Sequence, residues 1–292
     1  CGILAKREEL LGVARHRQAQ HEPLADDLKV DGLVGCDLLR RCWLNRHRGR
    51  ILALSWNSVI ALLYDIHGND RALEAVIADA RAAGADAWVL GGDHCLIGAQ
   101  PVAVLERLAG LPADTIWLRG NVERWTARPE SADIPLEAIR DAARWTAGAI
   151  GRERVDELAA LPHVLADIPF AGAERTVFCH ASPGSDMIGF SDQAAAGDGE
   201  AAANEYEANT IVCGHTHLQF AREIGVLEVV NPGSVGLPFD GDRRAAYGLL
   251  LPDGSFDLRR VEYDVEAALA AYDQIDEPWT ELAAHRLGGA RP

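Results

Sequence analysis

The strongest constraint on this chain is an interval. Asp65, Asp93 and Asn121 each stand just beyond a short apolar run, and both gaps between them are 28 residues. The runs are Val59-Ile60-Ala61-Leu62-Leu63-Tyr64, Ala87-Trp88-Val89-Leu90 and Thr115-Ile116-Trp117-Leu118, the last two followed by Gly91-Gly92 and Arg119-Gly120. Unbroken apolar runs of this length suit strands buried on both faces. The interval matches one strand-helix-strand unit. Right-handed crossovers between parallel strands bring successive carboxyl ends to one edge of a sheet, so three polar side chains distant in sequence become neighbours.

The segments between the runs read as helices. Asn69 is placed to cap the first, on which Leu73, Val76, Ile77 and Ala80 recur along one face. Pro101 opens the second, with Val104, Leu105 and Leu108 facing inward. Residues 136–161 read as one broken or two adjacent helices, interrupted near Gly148 and Gly151. Strands are expected over 164–168 and 175–179, the latter leading to His180, and over 210–213, leading to Gly214-His215-Thr216-His217. Further strands over 218–224, 227–230, 246–251 and 256–263 make the second half strand-rich. An α/β fold of two packed sheets with helices outside accommodates both halves.

Charge divides the chain near residue 58. Residues 1–58 hold 10 Lys and Arg against 7 Asp and Glu, whereas residues 59–292 hold 18 against 37, net charges of +3 and −19. The leading segment has no sustained apolar period, and position 1 is Cys. The expectation is a native product that begins at Val59, with 1–58 a non-native or disordered extension; intact mass of the natively expressed protein tests this. Arg46-His47-Arg48-Gly49-Arg50 and the apolar residues after it imitate a signal peptide. Cleavage there would remove the strand that positions Asp65. The run is also broken by Ser55, Asn57 and Ser58, too short for the about 20 apolar residues a membrane span needs. Six cysteines without a C-x-x-C pair fit a reducing compartment, so a soluble, cytoplasmic protein is expected. The acidic balance argues against polyanionic nucleic acid as a partner. Residues 274–292 are expected to form a C-terminal tail, frayed from Glu277 onward with its Gly288-Gly289-Ala290-Arg291-Pro292 end.

Asp65-x-His67-Gly68-Asn69, Gly92-Asp93, Gly120-Asn121, His180 and Gly214-His215-x-His217 occur in that order, with Asn231-Pro232-Gly233-Ser234-Val235-Gly236 behind them. In this the chain from Val59 to about Asp273 resembles the calcineurin-like metallophosphoesterases, in particular the small phosphodiesterase-like and diadenosine-tetraphosphatase-like branch. A lone strand histidine is ordinarily a packed one, and a lone Asp after a strand ordinarily a helix cap. Five blocks in family order are a different matter. The resemblance implies a four-layer sandwich, two mixed sheets flanked by helices, and a phosphoester hydrolase with two divalent ions, Mn favoured over Fe, Co or Zn. With the acidic charge, its expected substrate is a small phosphoester or nucleotide, or a phosphorylated peptide, in preference to duplex nucleic acid. By motif position Asp65, His67 and His217 would hold the first ion, Asn121, His180 and His215 the second, and Asp93 would bridge them. A shared water would then attack phosphorus, making Asp93, Asn121 and His180 catalytic as well as metal-holding. The alternatives are a catalytically silent scaffold of the same fold and, among enzymes, a Ser/Thr protein phosphatase.

The chain departs from the family after Asn121, where many members carry a proton-donating histidine and this sequence has Val122. His94 is the nearest substitute acid by sequence. Arg119 and Arg124 flank the Asn121 turn, either clamping a phosphate or pairing with Glu123 or Glu130. Asn231 either lines the pocket or belongs to a tight connection between strands. His163 and His285 lie outside any motif and are expected to be exposed.

Overall fold

The computed structural model describes residues 58–166, 176–190 and 208–292. All of the expected N-terminal extension except Ser58 lies outside them, as does most of the alanine-rich stretch 194–208. The elements are β1 (Val59–Leu63), α1 (Asp70–Ala82), β2 (Ala85–Leu90), α2 (Pro101–Ala109), β3 (Ile116–Trp117), α3 (Asn121–Ala127), α4 (Glu137–Ile150), α5 (Arg152–Ala159) and β4 (Val164–Leu165). Then follow β5 (Thr176–Cys179), β6 (Thr210–Val212), β7 (Gln219–Ile224), β8 (Leu227–Pro232), β9 (Ala245–Leu250), β10 (Phe256–Val261), α6 (Val265–Ala270) and α7 (Trp279–Gly289). The strands form two mixed five-stranded sheets, ordered β10-β9-β1-β2-β3 and β4-β5-β6-β8-β7. In the first, β1, β2 and β3 are parallel; in the second, β5, β6 and β8 are.

Side-chain alternation explains why the sheets stack. Ile60, Leu62 and Tyr64 point from β1 and its end into a cluster with Phe178, Val212 and Val230 of the second sheet. Ala61 and Leu63 point the other way, onto Leu73, Val76, Ile77 and Ala80 of α1. A strand apolar at every position is needed because both faces are covered, and each fully buried aliphatic chain contributes roughly 1.5–3 kcal/mol. Asn69 caps α1 as expected, its Oδ1 accepting from the Ala72 amide at 3.1 Å. The helical break falls at Gly151, whose φ is 82°; Gly148 lies inside α4. Among the described residues, no helix is long and apolar enough to cross a membrane.

Two expectations need correction. β3 covers two residues instead of four, because Thr115 is drawn into a turn on the Pro112 carbonyl and the Arg119 amide turns away to Pro162. The tail is not frayed: α7 buries Trp279, Ala283 and Leu287 in a cluster with Ile139, Ala142 and Ala143 of α4 and with Leu96, Ile97 and Leu237. These three α7 residues stand at i, i+4 and i+8, an apolar stripe that was readable beforehand.

Candidate metal centre

The parallel strands end at a common edge, where the backbone takes an unusual path. Asp65, His67, Asp93, His215 and His217 all have φ between 46° and 67°, in the left-handed region. Such conformations cost of order 1–3 kcal/mol each and persist where the surroundings enforce them; Asp and His tolerate them better than bulkier residues. Here the enforcement is visible. The loop after β1 is hydrogen-bonded to the loop after β2, His67 N to Asp93 O at 2.9 Å and Gly68 N to His94 O at 2.8 Å. Ser234 Oγ donates to the Asp65 carbonyl at 2.6 Å, and the Gly236 amide donates to the same oxygen at 3.1 Å. Gly120 must be glycine, since a Cβ there would lie 2.0 Å from Asp93 Oδ1 and 2.7 Å from His180 Nε2.

These loops bring two side-chain groups together: Asp65, His67, Asp93 and His217 in one, Asp93, His180 and His215 in the other. Asp93 is common to both, and its two oxygens divide between them. Oδ2 lies 3.5 Å from His67 Nε2, and Oδ1 lies 3.3 Å from His180 Nε2. Asn121 completes the second group, its Oδ1 3.0 Å from both His180 Nε2 and His215 Nδ1. Six of these seven side chains are buried and His215 is half-buried.

Hydrogen bonding fixes what the facing atoms are. His67 Nδ1 meets the Leu96 carbonyl and His180 Nδ1 the Gly91 carbonyl, both at 2.9 Å, while His217 Nδ1 meets the Leu237 carbonyl. A carbonyl only accepts, so each Nδ1 carries the proton and each neutral ring turns an Nε2 lone pair toward the centre. His67 Nε2 and His217 Nε2 then face one another at 3.1 Å, and His180 Nε2 faces two oxygens. Asp65 Oδ1 is buried without any hydrogen-bond partner. Acceptors converging without donors repel one another unless cations sit among them, and imidazole with carboxylate suits borderline divalent metals.

The electrostatics agree. Burial pushes the Asp65 carboxyl well above the usual range, opposed by the His215 amide; burial raises Asp93 too, assisted by the charges of Glu123 and Asp65. Burial lowers His67 to about 4 and holds His180 and His217 well below the ordinary value. Neither carboxylate pairs with an arginine among the described residues. Two buried like charges near neutral imidazoles are a setting a divalent ion relieves.

Several further candidates fare differently. The His94 ring is buried, with Nε2 on the Leu118 carbonyl at 2.9 Å and in T-shaped contact with the Trp117 ring, and it joins neither group; the carbonyl takes the Nε2 proton that an acid role would need. Arg119 and Arg124 pair neither with Glu123 nor with Glu130, and neither is free to clamp a phosphate: both bind Asp186, Arg124 through two nitrogens at 3.0 Å. Asp186 is held at about 2; burial alone would raise it, but Arg124 and Arg119 outweigh that. Asn231 is fully buried and structural, donating to the Gly214 carbonyl at 2.9 Å and accepting from the Gly233 amide. His163 is half-buried, His285 exposed.

The residue missed is Glu123. Its buried carboxylate accepts from the amides of Asp93 at 3.0 Å, His94 at 2.8 Å and Gly120 at 2.7 Å, tying the ends of β2 and β3 together. The signal was present: a Glu three residues after an N-cap, reaching back to the cap amide, is half of a capping box.

A family model described as the calcineurin-like phosphoesterase superfamily domain matches residues 59–253. An uncharacterized protein of Methanocaldococcus jannaschii is 29% identical over 237 residues, 75% of this chain and 92% of that protein. The crystal structure of a metallophosphoesterase from Sphaerobacter thermophilus aligns over 80% of this chain and 99% of its own, at 26% identity and a TM-score of 0.66. A hypothetical protein from Pyrococcus horikoshii OT3 shares the fold over 79% of this chain and 97% of its own, at 20% identity and a TM-score of 0.69.

Proposed function

The chain belongs to the calcineurin-like phosphoesterase superfamily and is a hydrolase acting on phosphoester bonds, and from that premise we propose that it works with two divalent metal ions, manganese favoured, on small, activated phosphoesters. The observation that carries this reading is the divided carboxylate of Asp93, one oxygen toward His67 and the other toward His180. A carboxylate spans two ions as an imidazole cannot. In this reading Asp65, His67 and His217 hold one ion with Asp93, and Asn121, His180 and His215 hold the other. Two such ions supply charge neutralisation at the phosphoryl group and acidify a water.

The protein's own part is orientation. The Leu96, Leu237 and Gly91 carbonyls fix three ring tautomers, and the Val122 amide steadies Asp93 Oδ1 at 3.2 Å. The Val122 side chain is apolar and buried at the position where the family resemblance implies a proton-donating histidine, and the His94 ring has its Nε2 on the Leu118 carbonyl and an Nδ1 with no partner. No side chain is thereby assigned to protonate the leaving group, help worth about 10²–10⁴-fold. Substrates whose leaving group departs as a stable anion fit best.

The test is metal content after purification, followed by hydrolysis of aryl and alkyl phosphoesters with added Mn. Two bound ions are expected, with Asp93→Asn inactive and rates falling steeply from aryl to alkyl leaving groups. A protein that binds no metal, or an Asp93→Asn variant with full activity, overturns the reading; a flat leaving-group series removes the preference for activated esters.

A further inference from the structure

A phosphoester is anionic, and after residue 58 the chain contains no lysine, so a permanently charged side chain that meets the substrate must be an arginine. Arg119 and Arg124 are neutralised by Asp186 and Asp133. Arg286 on α7 is not: among the described residues no carboxylate pairs with it, and its Nε is buried without an acceptor. Its guanidinium carbon lies 6.0 Å from the centroid of the Phe239 ring, and that ring stacks on His217, 4.3 Å between centroids and 18° between planes.

The helix that carries Arg286 is fastened to the loops around the centre. The Gly241 amide donates to the Ala290 carbonyl at 3.0 Å, and Tyr272 Oη, just before α7, donates to the Ile97 carbonyl at 2.8 Å. Burial lowers the pKa of Arg286, as expected for a cation whose desolvation no counter-charge offsets. Its charge also opposes protonation of His67. The Phe239 face and the carboxyl end of α7 stabilise the guanidinium in place, but neither supplies the counter-charge that a half-buried cation lacks here.

We propose that Arg286 is a substrate-binding residue whose guanidinium takes an anionic phosphoryl oxygen on the His67 and His217 side of the centre. The inference rests on reading the centre as a phosphoester-hydrolysing site. It also makes α7, which lies beyond the residues matched by the family model, part of the substrate pocket. The guanidinium fork suits a phosphoryl oxygen pair, and the anion would offset the arginine and the metal ions together.

The test compares the full chain, loaded with Mn, as wild type, Arg286→Ala, Arg286→Gln and Arg286→Lys. Inorganic phosphate is titrated calorimetrically and used as an inhibitor of aryl phosphoester hydrolysis. Loss of the guanidinium is expected to weaken phosphate binding and raise KM by roughly tenfold or more, with a much smaller change in kcat. Bound metal should stay the same, and lysine should recover part of the loss. A merely structural arginine would lower the melting temperature and leave the phosphate constant in place. If wild type hydrolyses and the folded variants bind phosphate within about twofold of it, Arg286 has no such role and the metal centre stands. If wild type neither holds metal nor hydrolyses, the reading of the centre falls and this inference with it.

Discussion

Glu123 shows how a single residue can organise a site it does not enter. One buried carboxylate satisfies three amides from two strand ends, and those ends present Asp93 and Asn121. Glu123→Gln keeps an acceptor oxygen but offers an amide group where a second acceptor stood, and Glu123→Ala leaves all three donors unpaired, about 1–3 kcal/mol for each buried one. The expected outcome is weaker metal binding by calorimetry, mild for Gln and severe for Ala. Metal affinity in Glu123→Ala equal to wild type would show that the strand ends hold their positions without it. At this scale the sequence was legible wherever residues come in motifs, which is why Asp65, His67, Asp93, His215 and His217 could be named together. It was not legible for Asp186, whose partners are 62 and 67 residues away, nor for the direction of the His94 ring. Neighbouring side chains decide those, and spacing does not encode them.

Among the elements, α1 and α2 could be read from spacing and caps, because their buried faces follow the helical period along continuous stretches. β3 could not be bounded, since a two-residue strand carries no period and this one ends where the Arg119 amide turns to the Pro162 carbonyl; β4 is described over Val164–Leu165 only, and the rest of its expected span, 167–168, lies outside the described residues. α7 was overlooked because its glycines, Gly288 and Gly289, suggested fraying, although its stripe of Trp279, Ala283 and Leu287 sits on the opposite evidence of burial. Trp279 is the anchor: it is 2% exposed and packs against Trp145 and Tyr272 with centroids 5.3 and 6.2 Å away. Trp279→Ala should destabilise the protein by about 3–5 kcal/mol, read as a lower urea midpoint. An unchanged midpoint would mean that α7 adds nothing to the fold, and it would remove the rigid support that Arg286 requires.

At the scale of the whole molecule, the candidate ligands are divided between the two sheets. Asp65, Asp93 and Asn121 follow β1, β2 and β3 of the first, whereas His180, His215 and His217 follow β5 and β6 of the second. Ions held by this set would therefore join the two sheets at one edge, where the left-handed turns and the facing carboxylates make the metal-free arrangement costly. A ligand that binds only the folded chain adds about 2.7 kcal/mol of stability at a hundred times its dissociation constant. For a domain of this size that corresponds to roughly 5–10 °C in melting temperature. Exhaustive chelation should lower the melting temperature by that order, and added Mn should restore it, with a similar loss and no restoration in Asp93→Asn. Because chelation leaves the core clusters between sheets and helices untouched, the stripped protein should still unfold cooperatively. A melting temperature indifferent to chelator and to Mn would mean that no ions bridge the sheets, however well the side chains are arranged to receive them.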